Sequence, residues 1–568
     1  MKRSEIIASL RERSEISVLI VGGGINGAGT FRDLSLQGVD VLLIDRADFC
    51  SGASAASSHM AHGGIRYLEN GEFRLVREAV QERNRLIRNA PHYVQPLPIT
   101  IPIFKWFSGF FNAPLKFLGV LDKPAERGAL VIKIGLMLYD AYTGIRQAVP
   151  RHQFYFRKRS LEQFPHLNPK IICTATYYDG SILCPERLAI ELLLDGEAEG
   201  SHARALNYVS LAGASGKVVV LRDELTGETF EVKPRLLVNA AGPWIDLANR
   251  ALGLATCYIG GTKGSHLVLN HPELRSAIGD HEIFFENKDG RIVLIFTFYD
   301  KVLVGTSDIS VDDPDAVCCT EQEVDYFLEM IARIFPNIRV DRSHIVFRFS
   351  GVRPLPAHSG QNLKAKTTGQ ISRDHSIQVL DGVWIGLEFP VYSLVGGKWT
   401  SFRAFSELVT DKVLNFLGMT RQKDTKDLPI GGGRDFSRSL EEHRRHMDSI
   451  CAWTGLPLER MQVLFERYGM RAQEIAMFIV KETDQPLKSI HDYSAREVAY
   501  LAQNEKIVHL DDLLLRRSKL AMLGLLTRTG INELADALGD ALRWDTKIKK
   551  YQVTRAMKIL ADRHGVRL

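Results

Sequence analysis

Three spaced glycines, four cations and two histidines carry the chemistry open to this chain. Gly22-x-Gly24-x-x-Gly27 closes the apolar run SVLIV and opens an Ala/Leu-containing segment that ends at Gly38; VDVLLI follows and stops at Asp45. Such a turn suits a pyrophosphate. Gly22 permits a tight bend, Gly24 lets the backbone approach an anion, Gly27 lets helix and strand pack closely, and the helix N-terminus presents unpaired N–H groups. Asp45 stands where a carboxylate accepts hydrogen bonds from a ribose hydroxyl. The pattern predicts a strand, turn, helix and second strand that hold a dinucleotide.

The cations are Arg66 in GGIRY, Arg353 in SGVRPL, Arg373 in SRDHS and Lys398 in GGKWT. Each is flanked closely by glycine or proline or sits in a loop context, where a charge can point into a cleft. The planar fork of arginine suits phosphate oxygens. Oxidation of a secondary alcohol needs a hydride acceptor and a group that takes the hydroxyl proton, and a phosphomonoester needs fixed cations. His62 in AHGG and His266 in KGSH are candidate bases, since a neutral imidazole has a suitable pKa; Arg353 can instead stabilise a developing alkoxide. All three stand as a set. No metal site is expected: there is no HExxH, no His/Cys cluster and no GxSxG elbow.

The elements that must position these residues follow from periodicity. Glu72 to Ala90 has apolar Leu75, Val76, Ala79, Val80, Leu86 and Ile87 at helical spacing. A second helix starts at Pro185, which suits a first helical turn. A third spans Thr320 to Ile334, and a fourth starts near Trp399 and Thr400. GSHLVLN, RIVLIF, KVLVGTS, HIVFRFSG and VWIGLEF alternate as strands. From Arg434 onward the pattern is helical. The expected fold is α/β: a Rossmann-like dinucleotide domain over 1–430, interrupted by a strand-rich substrate domain mainly over 90–200 and 255–370, with an all-helical domain over 431–568.

The 568 residues suffice for several cores, and 45% hydrophobic with 24% charged residues is ordinary for a globular chain. A net charge of +5 fits an anionic substrate or an anionic membrane surface and is too weak to argue for nucleic acid. Seven scattered cysteines without a CxxC pair imply a reducing compartment. The aromatic segment Ile101 to Leu121, interrupted by Lys105, Lys116 and two prolines, reads either as a membrane-interface piece or as a buried loop or dimer contact.

GGGINGAG, AHGGIRYLE, LVNAAGPW, TKGSH, ENKDGRIV, GTSD, SGVRPL, SRDHSI and GGKWTSFR, in that order, resemble the FAD-dependent glycerol-3-phosphate dehydrogenase family. The resemblance implies a D-amino-acid-oxidase-like fold, oxidation of sn-glycerol 3-phosphate to dihydroxyacetone phosphate, electrons passed to a quinone, a cytoplasmic and peripheral membrane location, and a possible homodimer. It implies FAD contacts from Gly22, Gly24, Ile25, Asn26, Gly27 and Asp45, from Ser57, Ser58, His62 and Gly63, from Gly242, and from Gly397, Lys398, Trp399 and Thr400. Arg353, Arg373 and Lys398 would line the substrate pocket beside Arg66 and Tyr67. His59, Ala61 and Asp45 depart from the usual family residues, which leaves another polyol phosphate, such as erythritol phosphate, or oxygen as acceptor in play. A flavoprotein that binds nucleic acid through its basic tail is the alternative of another class, opposed by the acidic residues mixed into that tail.

Overall fold

The computed structural model describes residues 2–65, 72–106, 128–143, 148–287, 291–357, 374–382, 386–437 and 439–568. Arg66, Tyr67, Arg373 and most of the Ile101–Leu121 segment lie outside them.

In chain order the principal elements before the C-terminal region are α1 (Arg3–Glu12), β1 (Glu15–Val21), α2 (Ile25–Leu36), β2 (Val41–Ile44), α3 (Phe73–Asn89), β3 (Val94–Ile103), α4 (Ala129–Thr143), β4 (Cys173–Ile182), α5 (Pro185–Ala198), β5 (Ala203–Leu206) and β6 (Thr229–Asn239). They continue with β7 (Thr262–Leu269), β8 (Glu282–Glu286), β9 (Ile292–Phe298), β10 (Lys301–Gly305), α6 (Glu321–Ile334), β11 (Ile345–Arg353), β12 (Ser376–Leu380), β13 (Val391–Val395) and α7 (Phe402–Leu417).

Near-continuous apolar runs make strands that are buried on both faces, and such strands pair in parallel. β2, β1, β6 and β13 do so: Val18 of β1 lies between Val41 and Leu236, and Leu237 of β6 faces Val391. The first sheet runs β12-β13-β6-β1-β2-β5, with β12 antiparallel at its edge. Phe31 and Leu34 of α2, Leu188 and Leu192 of α5, and Phe402, Phe405 and Val409 of α7 share one core against it.

The second sheet is built from chain inserted between strands of the first. β3 and β4 come between β2 and β5, and β7 to β11 come between β6 and β12. It runs β7-β10-β9-β8-β3-β4, with β11 beside β7. Alternation sends its side chains to two faces. Leu267, Leu269, Ile283, Val293, Ile295 and Val304 pack with Val324, Phe327 and Ile331 of α6. Leu294, Phe296, Phe298, Phe347 and Phe349 point the other way, into a core shared with the C-terminal helices.

Those helices begin at Leu440 and end with α8 (Thr546–His564). Ser439, Ser494, Thr527 and Asp545 each accept a first-turn backbone N–H at a helix start, which satisfies an otherwise orphan donor. Among the described residues no helix is long and apolar enough to cross a membrane.

One local expectation is refined and another corrected. The helix after the late glycines starts at Phe402, two residues beyond Thr400, with Trp399 and Thr400 in the turn before it. Trp399 Nε1 donates to the Ser54 carbonyl (3.0 Å) and Thr400 Oγ1 to the His62 carbonyl (3.0 Å), so both residues are tied to the opposite loop. VWIGLEF, expected as a strand, is not one in its described part: Gly386–Phe389 forms a turn with an isolated bridge from Leu387 to Gly216, and the strand follows at β13.

Candidate active site

β1 ends at the glycine turn. Gly22 has φ +108°, and a Cβ there would lie 2.6 Å from the Ala240 carbonyl oxygen; at Gly27 it would lie 1.9 Å from that of Gly22. Both positions exclude any side chain, which brings α2 against β1 and β6. Gly24, the N-cap of α2, faces the cavity, with the Ser54 hydroxyl 3.0 Å from the Ile25 N–H. Asp45 Oδ2 accepts from the Gly23 N–H (2.7 Å) and Oδ1 from that of Ala47 (2.9 Å). Burial raises its pKa to about 6 against these two bonds. Asp45 retains acceptor capacity toward the cavity it lines, since an ionised carboxylate has about four lone-pair sites.

From this turn a cavity of about 1550 Å³ runs to the front of the second sheet. A glycine cradle, a helix N-terminus and a carboxylate at the end of β2 are the donor and acceptor set of a dinucleotide, and this space accommodates FAD. Asn26, Ser57, Ser58, Gly242, Gly397 and Thr400 also line it. Asn26 Nδ2 donates to the Gly396 carbonyl (3.1 Å), and Gly397, at φ +103°, leaves no room for a Cβ beside that amide. The early and late glycine turns are thereby joined.

At the far end, three neighbouring strands place one imidazole. His266 of β7 pairs in register with Gly305 of β10 and Phe349 of β11. A Cβ on Gly305 would sit 2.1 Å from the ring, and Phe349 stacks on it at 4.7 Å. His266 Nε2 is 2.9 Å from the Ser58 hydroxyl, while Nδ1 is buried with no hydrogen-bond partner among the described residues. Burial first, and Arg353 second, push its pKa down to about 3, so the ring is neutral at physiological pH.

Arg353 closes β11 and reaches over Gly264, where a Cβ would meet its Nη2 at 2.3 Å. Nη2 donates to Thr306 Oγ1 (2.8 Å) and the Ser307 carbonyl (3.1 Å), and Nη1 to Asp308 (3.2 Å). The GTSD stretch therefore aims this guanidinium. Behind it, Glu323 accepts from Lys263 Nζ (2.7 Å), Ser265 Oγ (2.7 Å) and Ser307 Oγ (2.6 Å). Glu323 also closes a capping box with Thr320 at the start of α6.

The structure thus brings His62, His266, Arg353, Lys398 and Trp399 around one cavity. Gly63 stands behind its wall: its N–H donates to Asp179 (3.0 Å), and a Cβ would clash with Tyr139. Gly64 lines the cavity instead. Sequence reasoning missed Ser54, Glu323 and Asp308. The Thr320-x-x-Glu323 capping pattern was a legible signal for the second; Ser54 lay unmarked in a Ser/Ala-rich loop.

Residues 17–395 match the family model described as FAD dependent oxidoreductase, and residues 423–549 match that described as C-terminal domain of alpha-glycerophosphate oxidase. A glycerol-3-phosphate dehydrogenase of Synechocystis sp. is 33% identical over 97% of this chain and 98% of its own. A D-erythritol 1-phosphate dehydrogenase of Brucella abortus is 29% identical over 90% of this chain and 95% of its own. Among solved structures, the glycerol-3-phosphate dehydrogenase from Bacillus halodurans complexed with FAD superposes with a TM-score of 0.73 at 21% identity, over 99% of this chain and 97% of that one. With FAD as its cofactor, the chain belongs to the family of FAD-dependent oxidoreductases that includes the glycerol-3-phosphate dehydrogenases.

Proposed function

We propose that this protein oxidises sn-glycerol 3-phosphate to dihydroxyacetone phosphate and delivers the electrons to a membrane quinone. The observation that carries the reading is Arg353, a partly exposed guanidinium fixed by Thr306, Ser307 and Asp308 beside a neutral His266, at the end of the cavity opposite the glycine turn. FAD, when bound, supplies the hydride acceptor. Gly22, Gly24, Ile25, Asn26 and Asp45 would hold it from the early glycine turn, which Gly27 lets pack closely, and Gly397, Lys398, Trp399 and Thr400 from the late turn joined to it through Asn26. Arg353 and Lys398 bind the phosphate or the developing alkoxide, and the sequence adds Arg66, Tyr67 and Arg373 to that set. His266 donates or accepts a hydrogen bond to orient the substrate. Its depressed pKa makes it a poor proton acceptor, so His62 is the better candidate for the base.

Peripheral membrane association is part of this proposal. The outer face of α4 presents Leu130, Ile134, Met137 and Leu138, each 37–57% exposed, in one helical stripe. Exposed Trp106 and Phe156 stand 6.1 Å apart between ring centres, and Lys105, Lys133, Arg157, Lys158 and Arg159 are exposed in the same segments. An apolar surface with basic residues suits an anionic lipid interface.

Anaerobic titration with glycerol 3-phosphate, erythritol phosphate and free glycerol tests the reading. Bleaching of the oxidised flavin by glycerol 3-phosphate alone is the expected result. Bleaching by erythritol phosphate alone moves the substrate toward the Brucella relative's, and no bleaching by either phosphate rejects the proposal. Peroxide formed in step with substrate use in air replaces quinone by oxygen as acceptor.

A further inference from the structure

Asp48 lies three residues beyond Asp45 and is fully buried. It is held from the C-terminal helical region. Arg517 grips it with both ends of its fork, Nη1 to Oδ2 at 2.6 Å and Nη2 to Oδ1 at 2.9 Å, and Arg516 Nε donates to Oδ2. These two arginines end a π-helical turn, Leu513–Arg517. They are themselves fixed. Arg516 Nη2 donates to Asp512 (2.6 Å), which also accepts the Tyr208 hydroxyl (2.6 Å), and Arg517 donates to the Glu505 carbonyl (2.8 Å). The Glu505 carboxylate in turn takes both ends of Arg187 of α5, at 2.7 and 2.8 Å.

The other side of Asp48 leads directly to the glycine turn. The next residue, Phe49, packs so closely on Gly23 that a Cβ there would lie 2.5 Å from its ring. The one after, Cys50, donates its N–H to the Gly23 carbonyl (3.0 Å), while the Gly23 N–H donates to Asp45. A shift of Asp48 therefore moves both the turn and the carboxylate. Burial alone would raise the Asp48 pKa, yet Arg517 and Arg516 hold it down to about 2, so the clamp stays ionised across the physiological range. A buried carboxylate stripped of its cations is costly and has to move or take up a proton.

We propose that Arg516 and Arg517 are positioning residues for the FAD site, acting through Asp48 so that the C-terminal helical region sets the affinity of the chain for its cofactor. The inference rests on the assignment of the Gly22–Gly27 turn to FAD. It gives the C-terminal region a part in retaining the cofactor that its distance in sequence conceals.

The test uses the full chain, stripped of FAD and reloaded, with the FAD dissociation constant read from flavin fluorescence and the melting temperature measured on the apoprotein. Arg517→Met is expected to raise the dissociation constant tenfold or more. Asp48→Asn, which keeps the side-chain shape, carries the same expectation if Arg517→Met does not fold. Glu497→Gln is the control: Glu497 is equally buried in the C-terminal region, accepts from Tyr468 (2.6 Å) and Arg467 (3.1 Å), and makes no contact with Asp48. It is expected to lower the melting temperature while leaving the dissociation constant within twofold. An unchanged constant in the Asp48 and Arg517 variants, or an equal rise in the control, overturns the coupling. Gly22→Ala separates the two readings. If it loses FAD while Arg517→Met does not, only the coupling falls; if it leaves FAD binding unchanged, the turn assignment falls and the coupling with it.

Discussion

Arg353 shows how little freedom the cavity leaves a single side chain. Its guanidinium is spread over Thr306, Ser307 and Asp308, and Gly264 is glycine because the fork occupies the place of a Cβ. Gly264→Ala should push the guanidinium aside with little effect on stability, because the clash falls mainly on the movable end of a long side chain. Misplacing a reacting group by about 1 Å costs on the order of 100-fold, so kcat/KM for glycerol 3-phosphate should fall by about that factor with the melting temperature nearly unchanged. Steady-state kinetics beside a thermal melt decide it, and an active variant would remove Arg353 from substrate binding. His266 makes a second prediction. An unfolded histidine takes a proton near pH 6.5, whereas burial and Arg353 keep the folded ring neutral down to about 3. Protons bind the unfolded chain preferentially across that window, so stability falls as pH falls from 6.5 toward 3. The effect of this residue is about 2 kcal/mol at pH 5. His266→Gln should flatten the decline of melting temperature between pH 7 and pH 5; an equally steep decline would contradict the buried, neutral ring.

Among the elements, α4 stands apart because its outer stripe is apolar where a helix facing water is polar. Leu130, Ile134, Met137 and Leu138 share one helical face at i, i+4, i+7 and i+8, while Leu136 and Tyr139 of the same helix are buried against α3 and the second sheet. Each basic residue near an anionic lipid surface contributes about 1 kcal/mol, and the apolar stripe adds its own transfer energy. Ile134→Glu combined with Met137→Glu should release the protein from anionic vesicles in a sedimentation assay, with the flavin spectrum unchanged. Retention on the vesicles by the double variant would overturn the proposed contact of α4 with lipid. The run ALVIKIGLMLYDAY does not reveal the exposed stripe in sequence, because an apolar helix reads the same whether it faces a core or the surface.

At the scale of the whole molecule, the second sheet and the C-terminal helices share one hydrophobic core. Phe298, Phe347 and Phe349 of the second sheet belong to the same core as Met461, Leu464, Leu513 and Leu534 of the C-terminal helices. His564 near the chain end stacks on Phe347 at 4.4 Å and reaches the Arg348 carbonyl at 3.0 Å. A chain cut after Ile430 would expose that aromatic face, strip Asp48 of its two cations and leave it only the Asn207 amide, and take Glu505 away from Arg187. It should be recovered as aggregate, read by size-exclusion chromatography; a soluble monomer that keeps FAD would show that the first part is self-sufficient.

Local pattern alone determined the turn, the strand before it and the helix after it. Glycine spacing and an apolar run are short-range constraints that act within one βαβ unit and account for β1 and β2, whereas β5, β12 and β13 join the sheet through pairing with distant chain. The order of motifs was likewise enough to indicate the flavoprotein family and an interrupted architecture. Tertiary structure decided what depends on residues far apart. Only the pairing of β7 with β10 and β11 sets His266 over Gly305 and against Phe349, and only the packing of α6 behind β7 puts Glu323 under Lys263 and Ser307. Asp48 and Arg517 are separated by most of the chain, and neither belongs to a recognisable motif. Their pairing arises because the helical region buries the aromatic face of the second sheet, which brings a buried carboxylate and its two cations together beside the cavity.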